Sequence, residues 1–274
     1  MKRNTFRKVL MAVSLMVFLY CLFNIFKTLN TYETANNEYE NLIQNYTSNT
    51  STEIIPNNSL LNESIVQESE STETKSTENV ETTQEIVNTY KTIDFDSLIS
   101  LNSDTIGWIT IPGTVIDYPI VLSHDNNEYL NLTFLKEKNS SGTLFVDRRN
   151  SGDFSDYNTL LYGHNMKNGT MFSQLRNYKD ENFYEEHKYI QIYTPYGANT
   201  YAIISCYATT KTSDAYKLNF ANQEEYENWL EQESKLSKYK TYDYNPNLNT
   251  ITLSTCNGPS GSELRWIVHL QKIY

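Results

Sequence analysis

The chain has 274 residues, 39% hydrophobic and 13% aromatic, with a formal net charge of −11. That length leaves room for one sizeable domain with appendages. The charge is uneven, +5 over residues 1–30, −10 over residues 31–89 and −6 over residues 90–274, and with no basic stripe after residue 30 a nucleic-acid partner is excluded.

The first predicted element is a membrane anchor. Residues 1–8 form a basic tail with Lys2, Arg3, Arg7 and Lys8, and Val9 to Phe26 is an uncharged, mostly apolar run. Eighteen helical residues at ~1.5 Å rise reach roughly 27 Å, enough to cross a hydrocarbon core. The basic flank predicts that the N-terminus stays in the cytoplasm and that everything after Lys27 lies outside. A cleaved signal peptide shares this pattern, but the run is long for one and no small-x-small cleavage site follows.

Residues 27–89 are dominated by Ser, Thr, Asn and Glu, with no Gly and one Pro. Such a composition buries too little apolar surface to offset its ordering entropy, so a disordered or at most transiently helical stalk is expected, with Tyr32 to Tyr46 as a candidate juxtamembrane helix. The ordered domain is expected over residues 90–274. It opens with helical spacing from Ile93 to Leu101, with Asp94 or Asp96 as cap. Eight short β-branched and aromatic segments follow, at 106–111, 115–121, 143–147, 159–162, 189–193, 200–207, 250–255 and 265–273. Pro112-Gly113 and Pro195-Tyr-Gly197 mark turns, and eight strands in this length predict a closed or nearly closed β-barrel. An amphipathic helix from Phe220 to about Lys238, with Tyr226, Trp229, Leu230 and Leu236, packs on it. Short helical pieces are expected at 127–132, 171–175 and 180–186.

Period-two alternation places Thr252, Ser254 and Cys256 on one face of the penultimate strand, with Ile251 and Leu253 on the other. On the last strand Trp266, Val268 and Leu270 form the apolar face, and Arg265, Ile267 and His269 lie opposite. Arg265 is therefore placed to approach the Cys256 thiol across the ladder. A cysteine nucleophile acts as thiolate, a form that a neighbouring cation stabilises, and it needs a proton carrier for the leaving amine. His187 lies in a charged run and reads as a surface residue, His124 lies in a polar loop, and His269 shares the face of Arg265. His164 follows a strand and opens a polar loop, where reactive groups concentrate. A disulfide between Cys206 and Cys256 is the structural alternative in an exported domain, although Cys206 reads as a buried strand thiol.

The run Tyr162-Gly-His-Asn-Met-Lys-Asn-Gly-Thr-Met-Phe172, followed by Thr252-Leu-Ser-Thr-Cys256 and Arg265, resembles the class B sortases over roughly residues 90–274. The resemblance implies a mainly β, eight-stranded sortase-type barrel with an N-terminal helix and a long helix before the cysteine strand. It implies a cysteine transpeptidase, a thiol peptidase of the hydrolase class, that anchors proteins to the cell wall of a Gram-positive bacterium. The implied catalytic residues are His164, Cys256 and Arg265, and the implied signal-binding residues are Asn126, Leu130, Tyr162 and Ser254. The implied partners are surface proteins bearing a C-terminal sorting signal and a peptidoglycan cross-bridge amine, with the membrane holding the anchor. No cofactor and no metal are implied. Asn257 departs from the acidic residue often found after the thiol in this class, which bears on signal preference. A pilin-polymerising sortase or a hydrolytic cysteine protease differs only in the acceptor, and a stalked module without activity would leave the order of His164, Cys256 and Arg265 to accident.

Overall fold

A computed structural model describes residues 2–55, 86–259 and 261–273. Residues 56–85, the middle of the expected stalk, lie outside the described residues. The chain divides into two compact units, residues 48–92 and the remainder. In the smaller unit β1 (Thr47–Ile55) pairs with β2 (Ile86–Ile93) in a two-stranded sheet.

The larger unit begins with α1 (Lys2–Tyr46), a single helix whose most apolar window has a mean hydropathy of 2.4. The side chains of Leu10, Phe18 and Phe26 are exposed, as those of a lipid-facing stretch are. Polar residues along it bond back within the helix: Asn24, Thr28, Thr31 and Thr34 each donate to the carbonyl four residues earlier.

The helix does not end at Phe26, which corrects the stalk expected from residue 27. It continues to Tyr46, and Ala35, Tyr39 and Leu42, spaced four and three apart on one helical face, are buried against the domain. The average polarity of the segment conceals this stripe. α2 (Phe95–Leu101) follows, capped by Asp94, whose carboxylate accepts the Ser97 N–H at 3.0 Å.

Eight strands then close a barrel: β3 (Thr105–Thr110), β4 (Asp117–Leu122), β5 (Leu144–Val146), β6 (Asn158–Tyr162), β7 (Tyr189–Thr194), β8 (Gly197–Thr210), β9 (Thr250–Cys256) and β10 (Leu264–Lys272). Their order around the barrel is β10-β8-β7-β3-β4-β5-β6-β9. Each coincides with an expected strand to within a few residues. Two neighbouring pairs are parallel, β4 with β5 and β6 with β9, and the others are antiparallel. Ile109, Ile120, Leu144, Leu160, Ile192, Leu253 and Val268 are fully buried.

Helices occupy the longer connections. α3 (Glu181–His187) precedes β7. α4 (Gln223–Ser234) is capped by the Asn222 side chain, which accepts the Glu225 N–H at 2.9 Å. Tyr226, Trp229 and Leu230 of α4 form one cluster with Ile204 of β8, so the predicted amphipathic helix seals part of the barrel exterior.

Candidate active site

The site forms where three adjacent strands reach the same rim. Parallel pairing sets Tyr162 of β6 beside Ser254 of β9, and antiparallel pairing sets Arg265 of β10 opposite Cys256. β6 and β9 therefore end together, and the residues beyond them are fastened to each other. The Gly163 N–H donates to the Ser254 carbonyl at 3.2 Å, the Thr255 hydroxyl to the Gly163 carbonyl at 2.8 Å, and the Asn165 amide to the Cys256 carbonyl at 2.8 Å. His164 sits within this clasp.

A cleft of about 440 Å³ opens over the rim. All seven residues assigned from sequence line it: Asn126, Leu130, Tyr162, His164, Ser254, Cys256 and Arg265. Cys256 and His164 are half-buried, and Arg265 is held by its Nη1, which donates to the carbonyls of Ser262 at 2.7 Å and Leu264 at 2.8 Å. His164 Nε2 lies 2.8 Å from the Leu130 carbonyl. A carbonyl oxygen only accepts, so Nε2 carries the hydrogen and Nδ1 remains for proton exchange.

Further residues shape the cleft without a sequence signal of their own. Tyr216 stacks on Tyr162 with ring centroids 6.3 Å apart and planes 11° from parallel, and its hydroxyl lies 2.7 Å from the Ser254 Oγ. Arg149 grips Asp147 through Nε and Nη2, both at 2.8 Å, and the Tyr162 hydroxyl donates to the same carboxylate at 3.0 Å. Asn126, with a positive φ of 65°, turns its side-chain oxygen to accept the Arg148 N–H at 2.8 Å.

Burial alone would raise the Asp147 pKa, but the Arg149 guanidinium and the converging N–H and O–H donors dominate and bring it to about 2. The folded value lies below the ~4 of a free Asp, so the stabilisation is complete above that pH and is lost as pH falls toward 2. With Asp147 only 1% exposed, Asp147→Asn is expected to cost about 2 kcal/mol at neutral pH in urea unfolding. The difference from wild type should close on acidification from pH 4 toward 2.

The remaining histidines lie elsewhere. His124 is exposed and bonded to Asp104 at 3.1 Å. His187 is partly buried rather than a free surface residue, with Nδ1 2.9 Å from the Pro112 carbonyl and its ring against Phe183. His269 shares a strand face with Arg265 but is fully buried away from the cleft. Its Nδ1 lies 2.8 Å from the Thr252 hydroxyl, and its Nε2 lies 3.0 Å from the Tyr207 hydroxyl and 3.3 Å from Glu233 of α4. Alternation names the face correctly, yet α4 covers its lower part, and of that face Ser254, Cys256 and Arg265 line the cleft. His269→Ala should therefore cost about 3 kcal/mol of stability, because it orphans buried polar partners. Peptide turnover per folded molecule should stay at the wild-type value in the same preparation.

The cysteines are free thiols, which removes the disulfide alternative. Cys206 is buried in β8 and lies 3.0 Å from the Tyr239 hydroxyl, and burial pushes its pKa up. Among the described residues no three His, Cys, Asp or Glu side chains converge as metal ligands do.

A barrel whose rim brings together a cysteine and an arginine from paired strands and a histidine just beyond the end of a third defines a class of protein. Residues 109–273 match the sortase domain family, and the chain belongs to it. Within that family the similarity is to class B. The chain is 35% identical to sortase B of Staphylococcus aureus over 181 residues, 65% of this chain and 74% of that protein. It is 38% identical to sortase B of Listeria monocytogenes over 167 residues, 58% of this chain and 65% of that protein. Among solved structures, the S. aureus sortase B–substrate complex superposes with a TM-score of 0.62 at 34% identity, covering 65% of this chain and 84% of that one. The sortase B of Clostridium perfringens gives 0.61 at 37% identity, covering 66% of this chain and all of the other. The chain is a class B sortase, a member of a family of cell-wall sorting transpeptidases.

Proposed function

We propose that this chain cleaves a C-terminal sorting signal after Thr and transfers the protein to a peptidoglycan cross-bridge amine. The observation that carries the reading is the meeting of His164, Cys256 and Arg265 on one cleft at the ends of β6, β9 and β10. The Cys256 thiolate attacks the Thr carbonyl carbon. As the tetrahedral centre collapses, the C–N bond breaks, and His164 donates a proton to the departing amine. The acyl group remains on sulfur as a thioester. An incoming amine attacks that carbonyl and loses a proton to His164, the C–S bond breaks, and the thiolate is regenerated.

Arg265 faces the charge that develops on the carbonyl oxygen, where a fixed donor acts more strongly than water does. Asn126, Leu130, Tyr162 and Ser254 form the walls that receive the signal. α1 anchors the enzyme in the membrane with its N-terminus in the cytoplasm, and the barrel works outside.

The test uses the full chain in detergent with fluorogenic peptides of sorting-signal type, with and without short amines. Mass spectrometry should find the peptide cut after Thr and, when amine is present, joined to it. Cleavage that yields only the hydrolysed acid at every amine concentration would replace the transpeptidase by a protease.

A further inference from the structure

α1 is more than a tether, because its cytoplasm-distal end reaches the groups that hold His164. Tyr39 is buried, and its hydroxyl donates to the Gly142 carbonyl at 2.5 Å and lies 3.3 Å from the Thr143 Oγ1. A phenol, with a free pKa of about 10, is a donor throughout the neutral range.

From Tyr39 two routes lead to the histidine. The first runs through the loop between the short helical turn at 128–130 and β5. Thr143 is fastened to that loop, its hydroxyl donating to the Leu132 carbonyl at 2.8 Å and its N–H to the Tyr129 carbonyl at 3.0 Å. Gly142, at φ +61°, presses its backbone on the site: a Cβ there would stand 3.1 Å from the His164 Cδ2 and 3.1 Å from the Leu130 carbonyl oxygen. That oxygen is the one that accepts the His164 Nε2–H.

The second route runs through β4. The Tyr39 ring meets Tyr118 edge to face, with centroids 5.2 Å apart and planes at 87°. The Tyr118 hydroxyl accepts the Met171 N–H at 3.2 Å. Met171 bridges to Asn165, and the next residue, Phe172, donates its N–H to the His164 carbonyl at 2.9 Å. One side chain thus braces both the loop that runs beside the oxygen orienting the imidazole and the backbone that carries the imidazole.

Two further contacts fix the helix beside the same loop. The Asn139 amide donates to the Thr31 carbonyl at 2.9 Å, and the Leu135 N–H donates to Glu38 at 3.0 Å.

We infer that Tyr39 of the anchor helix is a positioning residue for His164, so that docking of the membrane-proximal part of α1 sets the catalytic competence of the cleft. The inference rests on the proton-carrier role proposed for His164. It makes the anchor part of the enzyme's working apparatus, since a small displacement of a proton carrier lowers the rate without removing any reacting group.

The test is made on the full chain in detergent. Tyr39→Phe keeps the ring and removes the hydroxyl. It should lower kcat about tenfold with KM within about twofold, shift the limb of the pH–rate profile that reports the histidine, and move the His164 imidazole resonances. Leu42→Ala removes buried volume from the same helix while the Tyr39 hydroxyl stays in place. It should lower the Tm at least as far, yet leave kcat and the pH profile as in wild type. A wild-type kcat and pH profile for Tyr39→Phe would overturn the inference, and so would equal losses in both variants that follow the folded fraction. Cys256→Ala controls for the underlying reading: full activity in that variant removes the catalytic assignment itself, and the inference falls with it.

Discussion

Cys256→Ala is expected to abolish both peptide cleavage and amine transfer, by at least about 10⁴-fold, the scale on which loss of a nucleophile acts in acyl-transfer enzymes. No neighbour can replace it. Ser254 lies on the same strand face, but its Oγ is 2.7 Å from the Tyr216 hydroxyl and the residue is buried. The substitution leaves the barrel intact, because Cys256 is the last residue of β9 and only half-buried, and its backbone carbonyl still receives the Asn165 amide. Thermal unfolding should stay within about 1 kcal/mol of wild type, while the fluorogenic assay falls to background. Activity within tenfold of wild type would move the acyl-carrying role away from this residue.

Arg265→Lys is the second large effect, expected to reduce kcat about 10²-fold, with Arg265→Ala nearer 10³-fold. The guanidinium divides its work. Nη1 is fixed by the Ser262 and Leu264 carbonyls, and we assign Nε and Nη2 to the substrate oxygen. A lysine carries the same charge on one compact ammonium, so it cannot hold those two carbonyls and still meet the substrate as a planar fork does. The measurement is kcat and KM for the same peptide. A loss confined to KM would assign Arg265 to signal binding rather than to the charge that develops during acyl transfer.

The strands were legible in the sequence because alternation is a local signal, and a barrel strand with one face on the core must show it. The face shared by Thr252, Ser254 and Cys256 was legible for the same reason, as was the placement of Arg265 across from the thiol. His269 shows the limit of that signal. Periodicity assigns a face but does not say which part of the face a distant helix will cover, and α4 covers the part that holds His269. The continuation of α1 was only partly legible, as a candidate juxtamembrane helix over Tyr32 to Tyr46. Ala35, Tyr39 and Leu42 are a sparse stripe among polar residues, and composition over residues 27–89 averages it away. Tyr216 and Arg149 had no local signature at all. Their place in the cleft depends on loop paths and on the pairing of β6 with β9, strands far apart in sequence.

That parallel pairing has a consequence for how the enzyme can change. Two parallel neighbours finish at the same rim whatever connects them, so the connection between β8 and β9, residues 211–249, can be rebuilt in length and sequence while His164 and Cys256 remain in register, provided that the ladder from Asn158 to Tyr162 survives. That connection carries Tyr216, which walls the cleft, and α4, which packs on β8. The fold thus separates heredity of mechanism from heredity of taste: one part of the chain conserves the reaction while another is free to learn a new signal.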